Sequence, residues 1–192
     1  MKDTKHYNRG VFPCSVNIWL KQRFGMDGLN RILERLGSDA RTMLEVPAPN
    51  TWYPASLLRE VYSAINEEYS AGHPDIFTEY GHYNADRDVK GLLRYLMRFI
   101  TMEKLLKRMQ SFWKQYNRGA TIEASPVTEK GSRKYLTVTV RNYDLGLPGC
   151  EALAEYIRVL CVNTGAKKFE IKKEKCIHKG ADYCSWRINW EE

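Results

Sequence analysis

Cys176-Ile177-His178-Lys179-Gly180-Ala181-Asp182-Tyr183-Cys184, together with Cys150 further back, is where this chain gathers its chemically special side chains. Thiolates are ligands for zinc: the bound cation displaces the thiol proton and holds sulfur at about 2.3 Å. Cys150, Cys176 and Cys184 supply three donors if the turn containing Gly180 joins antiparallel strands and brings its ends to the start of a preceding helix. A tetrahedral site then needs a fourth donor, and His178, Glu174 and Asp182 are the candidates at hand. The competing reading is that free cysteine is a small apolar side chain favoured in cores. These spacings match no common zinc-ribbon or finger pattern. A nucleophilic pairing of Cys176 with His178 is weaker chemistry, because residues two apart in a turn rarely align as nucleophile and base.

Placing the thiols falls to the second half of the chain. Thr121 to Thr128 and Arg133 to Tyr143 read as a hairpin around Glu129-Lys130-Gly131-Ser132, with Leu136, Val138 and Val140 alternating on one buried face. Pro148 opens a helix running to about Thr164, closed by Gly165, with Leu153, Tyr156, Ile157 and Leu160 inward. A second hairpin follows from about Lys167 to Cys176 and Tyr183 to Trp190. Period-two alternation puts Cys184, Trp186, Ile188 and Trp190 on one face of it.

Residues 1–118 read as helices between short breakers. Helices are expected over Cys14 to Phe24 and Met26 to Leu36, broken at Gly25 and Gly37, followed by a loop with Pro47, Pro49 and Pro54. Ala55 to Tyr69 forms the next, ended by Gly72-His73-Pro74, and a short segment runs through Tyr80. Two more helices are expected, from about Ala85 to Ile100 and from Met102 to Tyr116. Met102, Leu105, Leu106, Met109, Phe112, Trp113 and Tyr116 make the apolar stripe of the second. The whole of 1–192 is expected to be a single α+β domain, its helical part spanning 1–118 and a ββαββ part spanning 119–192, with helices on one face of an antiparallel sheet.

The 192 residues, 43% hydrophobic, allow a real core. The net charge of +7 comes from 30 basic and 23 acidic residues that are mostly interspersed, as on a solvated surface. No DNA- or RNA-binding motif accompanies them, so nucleic acid is not an expected partner. Five cysteines make an odd count, and the start lacks the apolar core of a secretory signal, which points to a reducing cytoplasmic setting. No apolar run approaches the roughly 20 residues that span a bilayer, since Leu92 to Ile100 is interrupted by Arg94 and Arg98.

The run Cys150-Glu151-Ala152-Leu153-Ala154-Glu155-Tyr156 followed by Cys176 to Cys184 resembles the 4-vinyl reductase type of small-molecule-binding domain, within the nitric-oxide-signalling/Golgi-transport ligand-binding superfamily. Leu36-Gly37-Ser38-Asp39-Ala40 and Thr51-Trp52-Tyr53-Pro54 look like the uncharacterised myxobacterial relatives of that domain and, more distantly, like haem nitric-oxide-binding proteins. The resemblance implies an α+β fold and a role in sensing or carrying small hydrophobic molecules in bacterial signalling. It also implies zinc. Phenol-responsive members hold it with three cysteines, whose positions fall on Cys150, Cys176 and Cys184, and with a glutamate three residues before the second cysteine. This chain has Lys173 there. Glu174, one step away, shares strand parity with Cys176, so a bulge or a substitute donor is required. Haem relatives need an axial histidine on a helix and a Tyr, Ser and Arg set around the propionates. The Met102 to Tyr116 helix has no histidine, and Tyr135-Leu136-Thr137-Val138-Thr139 lacks the order, which argues against haem.

Phe112, Tyr116, Leu136, Val138, Tyr156, Phe169 and Ile171 are the candidate lining of a guest site between sheet and helices; an aromatic stripe at helical spacing is also what a plain core looks like. The function expected is a non-enzymatic sensor or carrier for a small apolar or aromatic molecule, signalling through a homodimer or a second protein. An accessory factor or reductase of tetrapyrrole metabolism and an interaction module of the vesicle-tether type are the alternatives.

Overall fold

Apolar side chains at helical spacing build one layer of this molecule and alternating ones build the other. The computed structural model describes residues 5–90 and 100–191. Its helices are α1 (Val11–Arg35), α2 (Ser38–Glu45), α3 (Ala55–Tyr69), α4 (Ile76–Asp88), α5 (Met102–Tyr116) and α6 (Gly146–Val162). Its strands are β1 (Tyr7–Arg9), β2 (Trp52–Pro54), β3 (Asn117–Arg118), β4 (Thr121–Ala124), β5 (Thr128–Lys130), β6 (Arg133–Arg141), β7 (Lys167–Lys175) and β8 (Cys184–Glu191). The fold is α+β, with a helical first half followed by an antiparallel sheet.

Several boundaries differ from the expectation for physical reasons. The two helices expected around Gly25 form one bent element, because Gly25 takes φ 71° and ψ −174° while the turns on either side stay helical. Where a loop was expected after Gly37, α2 forms; Arg41 reaches back from it and its Nε donates to the Leu33 carbonyl at 2.8 Å, satisfying an end group of α1. The segment through Tyr80 belongs to α4, whose Ile76, Phe77, Tyr80, Gly81 and Ala85 are buried. Of the helix expected from Ala85 to Ile100, only the start falls within α4, and residues 91–99 lie outside the described residues, as does the Leu106 side chain. Strands β1, β2 and β3 join into a small sheet of order β2-β1-β3 that sequence alternation did not announce, each being three residues or fewer.

The main sheet runs β4-β6-β8-β7, with β5 also paired to β6. Antiparallel register sets Val140 opposite Cys184, Val138 opposite Trp186 and Leu136 opposite Ile188, so these side chains share one face. All six are buried, and so is Trp190. Helix α6 covers this face, touching α4, α3 and β7. Trp19, Tyr62, Phe77 and Tyr80 fill the space among the helices, with ring centroids 5.0–5.8 Å apart.

Helices α4 and α6 are held by two devices. Gly81 lets their backbones approach: a Cβ there would run into the Ala152 carbonyl. Glu155, 8% exposed, accepts from His82 Nδ1 at 3.0 Å and from Arg158 Nε and Nη2 at 2.6 Å each. Burial alone would raise its pKa, but the Arg158 and His82 bonds outweigh that and hold it below the usual carboxylate value.

Gly81→Ala is expected to lower unfolding stability by about 1–3 kcal/mol through overpacking. Gly72→Ala, where nothing lies within 4 Å of an added Cβ, should stay within about 0.5 kcal/mol in the same urea titration. For Glu155 the sign is that of a depressed acid: its ionised form stabilises the fold above the unfolded pKa of about 4.3 and that contribution is lost as pH falls through the lower folded value. The wild type should therefore exceed Glu155→Gln in urea midpoint at pH 7, with the gap narrowing in acid; a gap independent of pH would contradict the assignment.

Candidate metal centre and guest cleft

Each thiol is placed by a different element. Cys150 sits in the first turns of α6, Cys176 directly follows β7, and Cys184 begins β8. Between the last two the chain makes a single 3-10 turn, Ile177–Lys179. Lys179 N and Ala181 N donate to the Cys176 carbonyl at 3.0 and 3.1 Å, and Gly180 closes the turn at φ 84°, a conformation suited to glycine. Hairpin closure thus brings both its cysteines under the helix that carries the third.

The three sulfurs lie within 4.8 Å of one another, with Cys150 2% exposed, Cys176 4% and Cys184 fully buried. Cys150 and Cys184 are 3.6 Å apart. That is close to the edge of about 3.8 Å between sulfurs of a tetrahedral centre with 2.3 Å bonds, and far from the ~2.05 Å of a disulfide. The spacing suits convergence on one soft cation. Cys150 and Cys184 share a hydrogen bond, which raises the pKa of Cys150, as burial also does, and lowers that of Cys184.

The donors considered for the fourth position go elsewhere. A register shift between Lys173 and Lys175 is the bulge that the strand parity required, but it does not deliver Glu174. Glu174 pairs with Arg187 Nη2 at 2.7 Å. His178 Nε2 is 3.8 Å from Asp144 Oδ1, and Asp182 is exposed. Among the described residues the metal-capable group consists of the three cysteines.

Lys173 takes the inward place instead. It stands opposite Trp186, hence on the buried face of the sheet, with Nζ 4.7 Å from the Trp186 ring centroid. The Nζ is buried and has no hydrogen-bond partner of acceptable geometry. Burial favours its neutral form, but attraction by Cys150, then Cys184 and Cys176, outweighs this and raises its pKa. The amine thus lies on the buried face beside Trp186, in the electrostatic reach of the thiols, a placement that spacing alone did not reveal. The signal available in the sequence was parity: Lys173 shares that of Ile171 and Phe169 on β7.

A pocket of about 410 Å³ opens beside Cys176, lined by Lys173, Lys179 and Tyr183 among others, and neither Cys150 nor Cys184 lines it. A larger cleft of about 820 Å³ lies between α1, the segment 72–75, α4 and α6. Trp19, Arg23, His73, His82, Tyr83 and Glu155 contribute to it. None of the seven expected lining residues does. Leu136 and Val138 are buried on the inner face of β6; Phe169 and Ile171 are half-buried on β7; the Tyr156 hydroxyl donates to Asp88 Oδ2 at 3.0 Å. Phe112 and Tyr116 are 53% and 36% exposed, with Tyr116 edge-on to Phe12. No described helix is long and apolar enough to cross a membrane.

No protein-family model and no curated protein sequence matches the chain. Solved structures do. An H-NOX protein from S. oneidensis in the Fe(II)NO ligation state is 15% identical, with 96% of this chain and 99% of that one covered at a TM-score of 0.68. The unliganded Fe(II) H-NOX protein from K. algicida is 14% identical, covering 96% and 97% at a TM-score of 0.69. A third, described under the modulation of haem redox potential through porphyrin distortion, is 12% identical, covering 96% and 99% at 0.59. The argument against haem is overturned by these neighbours. It rested on side-chain motifs, whereas the fold is held by apolar pattern, so missing motifs did not separate this chain from a fold whose solved examples include haem proteins. At these identities what is shared is the fold: this chain has the architecture seen in solved H-NOX structures.

Proposed function

We propose that this chain is a small-molecule sensing or carrier domain of bacterial signalling, 4-vinyl reductase-like, in which Cys150, Cys176 and Cys184 hold a structural zinc ion. The observation that carries this is the sulfur triad, with Cys150 and Cys184 3.6 Å apart and all three sulfurs within 4.8 Å, buried where α6 meets the β7–β8 hairpin. A cation there would tie the helix to the hairpin, and a guest that favours one arrangement of the two elements would bias a conformational signal. The receiver of that signal is a second copy or another protein, and thiols serving as ligands accord with a reducing cytoplasm.

The guest is a small apolar or aromatic molecule, with haem among the candidates because of the fold. Leu136, Val138, Phe169 and Ile171 are proposed to shape the inner face against it, with Tyr156, Phe112 and Tyr116 flanking. Haem itself suits the larger cleft in size and chemistry. Trp19 and Tyr83 provide rings, Lys90 and Arg23, the latter paired with Glu79, provide cations, and His82 provides an imidazole whose Nδ1 is tethered to Glu155 and whose Nε2 lies 3.5 Å from Asp86 Oδ2. Bound there, haem would supply an iron able to take a diatomic gas.

Cys184→Ser should lower zinc content and thermal midpoint together; no metal and equal stability in both proteins would rule zinc out. Native mass spectrometry of the wild type should report a retained organic guest. Haemin titration should give a saturating Soret band that His82→Ala weakens, and a free-haemin spectrum throughout would remove haem from the cleft.

A further inference from the structure

Strands β1, β2 and β3 divide their side chains by parity into two faces of opposite character. Inward go Asn8, 1% exposed, and Asn117, 4% exposed, and Asn8 Nδ2 donates to Asn117 Oδ1 at 2.9 Å. Outward go Tyr7 and Arg9 on β1, Trp52 and Pro54 on β2, and Arg118 on β3. Register sets Arg9 opposite Trp52, and Tyr7 opposite both Pro54 and Arg118. Lys5 is exposed beside them, its backbone against Gly119. We propose that this outer face is the docking surface for an acidic segment of a protein partner, with Arg9 and Arg118 taking its carboxylates and Tyr7 and Trp52 its intervening side chains. Neither zinc nor a guest is needed for it.

The charge here has one sign. Residues 5–10, 49–54 and 114–120, which build and flank the face, include no Asp or Glu. Among the described residues, Arg9 Nη2 donates to Asn50 Oδ1 at 2.8 Å, Arg118 lies 3.9 Å over the Trp52 ring centroid, and neither is ion-paired with a carboxylate. Other arginines are answered within the chain: Arg23 by Glu79, Arg35 by Glu68 and Arg187 by Glu174. An anionic partner supplies what this face lacks.

The cations are also fixed in advance. Arg118 comes from β3 and Trp52 from β2, so the guanidinium reaches across β1 to stack. Stacking uses the flat side of the group and leaves in-plane N–H donors available to the two oxygens of a carboxylate. Side chains already held lose less freedom when a partner arrives. Trp, Tyr and Arg are moreover the residue types that dominate binding energy at protein interfaces. A nucleic-acid base cannot stack on the indole side that Arg118 covers, and Tyr7 and Trp52 are half-buried rather than projecting as membrane-inserting side chains do. Because β1 runs into α1, which carries Trp19 and Arg23 to the large cleft, a partner seated here touches the root of a cleft wall.

Fluorescence anisotropy of a fluorescein-labelled peptide alternating Glu with Leu, titrated with the full chain, tests this surface. The peptide should bind saturably, more weakly as salt rises, and more tightly than the same peptide with Gln in place of Glu. Arg118→Glu should weaken binding about fivefold or more. Lys172→Glu, the same charge change on exposed β7, should alter it little. Arg118→Lys keeps the charge without the planar fork and should fall between them. If Arg118→Glu lowers the thermal midpoint, Arg118→Lys decides, by weaker binding at an unchanged midpoint. No saturable binding, equal losses in Arg118→Glu and Lys172→Glu, or preference for an oligothymidylate or for phosphatidylserine vesicles in competition would overturn the assignment. All of these outcomes leave the metal centre untouched.

Discussion

Burial of one sheet face beneath α6 is the interaction on which the rest of this molecule depends. Val138, Val140, Cys184, Trp186, Ile188 and Trp190 form a continuous apolar surface across β6 and β8, each at most 1% exposed. At about 1.5–3 kcal/mol for each large apolar side chain removed from water, such a face cannot be left open, and α6 is the element that closes it. Closing it sets Cys150 over Cys184. Everything distinctive about the centre follows from that placement: the 3.6 Å sulfur separation, the shared hydrogen bond and the inward ammonium.

The same burial explains why the polar groups in this region are so specifically arranged. Lys173 enters a face made for hydrocarbon, against the cost of burying an unpaired charge, and is compensated by the Trp186 ring and by the sulfurs. On the far side of α6, Glu155 is itself buried, and Arg158 and His82 surround it with donors. One helix thus carries a thiol toward the sheet and a carboxylate toward α4. A cation bound at one side and a guest in the cleft at the other would both act through it.

The likeness to H-NOX structures over nearly the full length, at 14–15% identity, illustrates how weakly a fold constrains its site. Apolar spacing survives divergence that replaces the polar residues performing chemistry. For this reason a fold can carry haem in one chain while another chain places aromatic side chains and thiols in its interior, and the chemistry has to be argued from the groups present.

Much of the architecture was legible in the residues themselves. Alternation along β6 and β8 gave the hairpins and the buried face, Gly25 marked the bend in α1, and Cys150, Cys176 and Cys184 were identified as one group from a turn that had to reverse the chain. Helix α2 and strands β1, β2 and β3 were not legible, since elements that short have too few residues for a periodicity to register. Only the tertiary structure decided what surrounds the thiols. Pairing with β8 set Lys173 opposite the buried Trp186 and Glu174 within reach of Arg187, ahead of a register shift that begins after Lys173. The cleft likewise exists only once α1, α4 and α6 converge. Periodicity is a local property that the chain carries in its own order, whereas a fourth neighbour or a cleft wall comes from residues far apart in that order, whose meeting is fixed by packing.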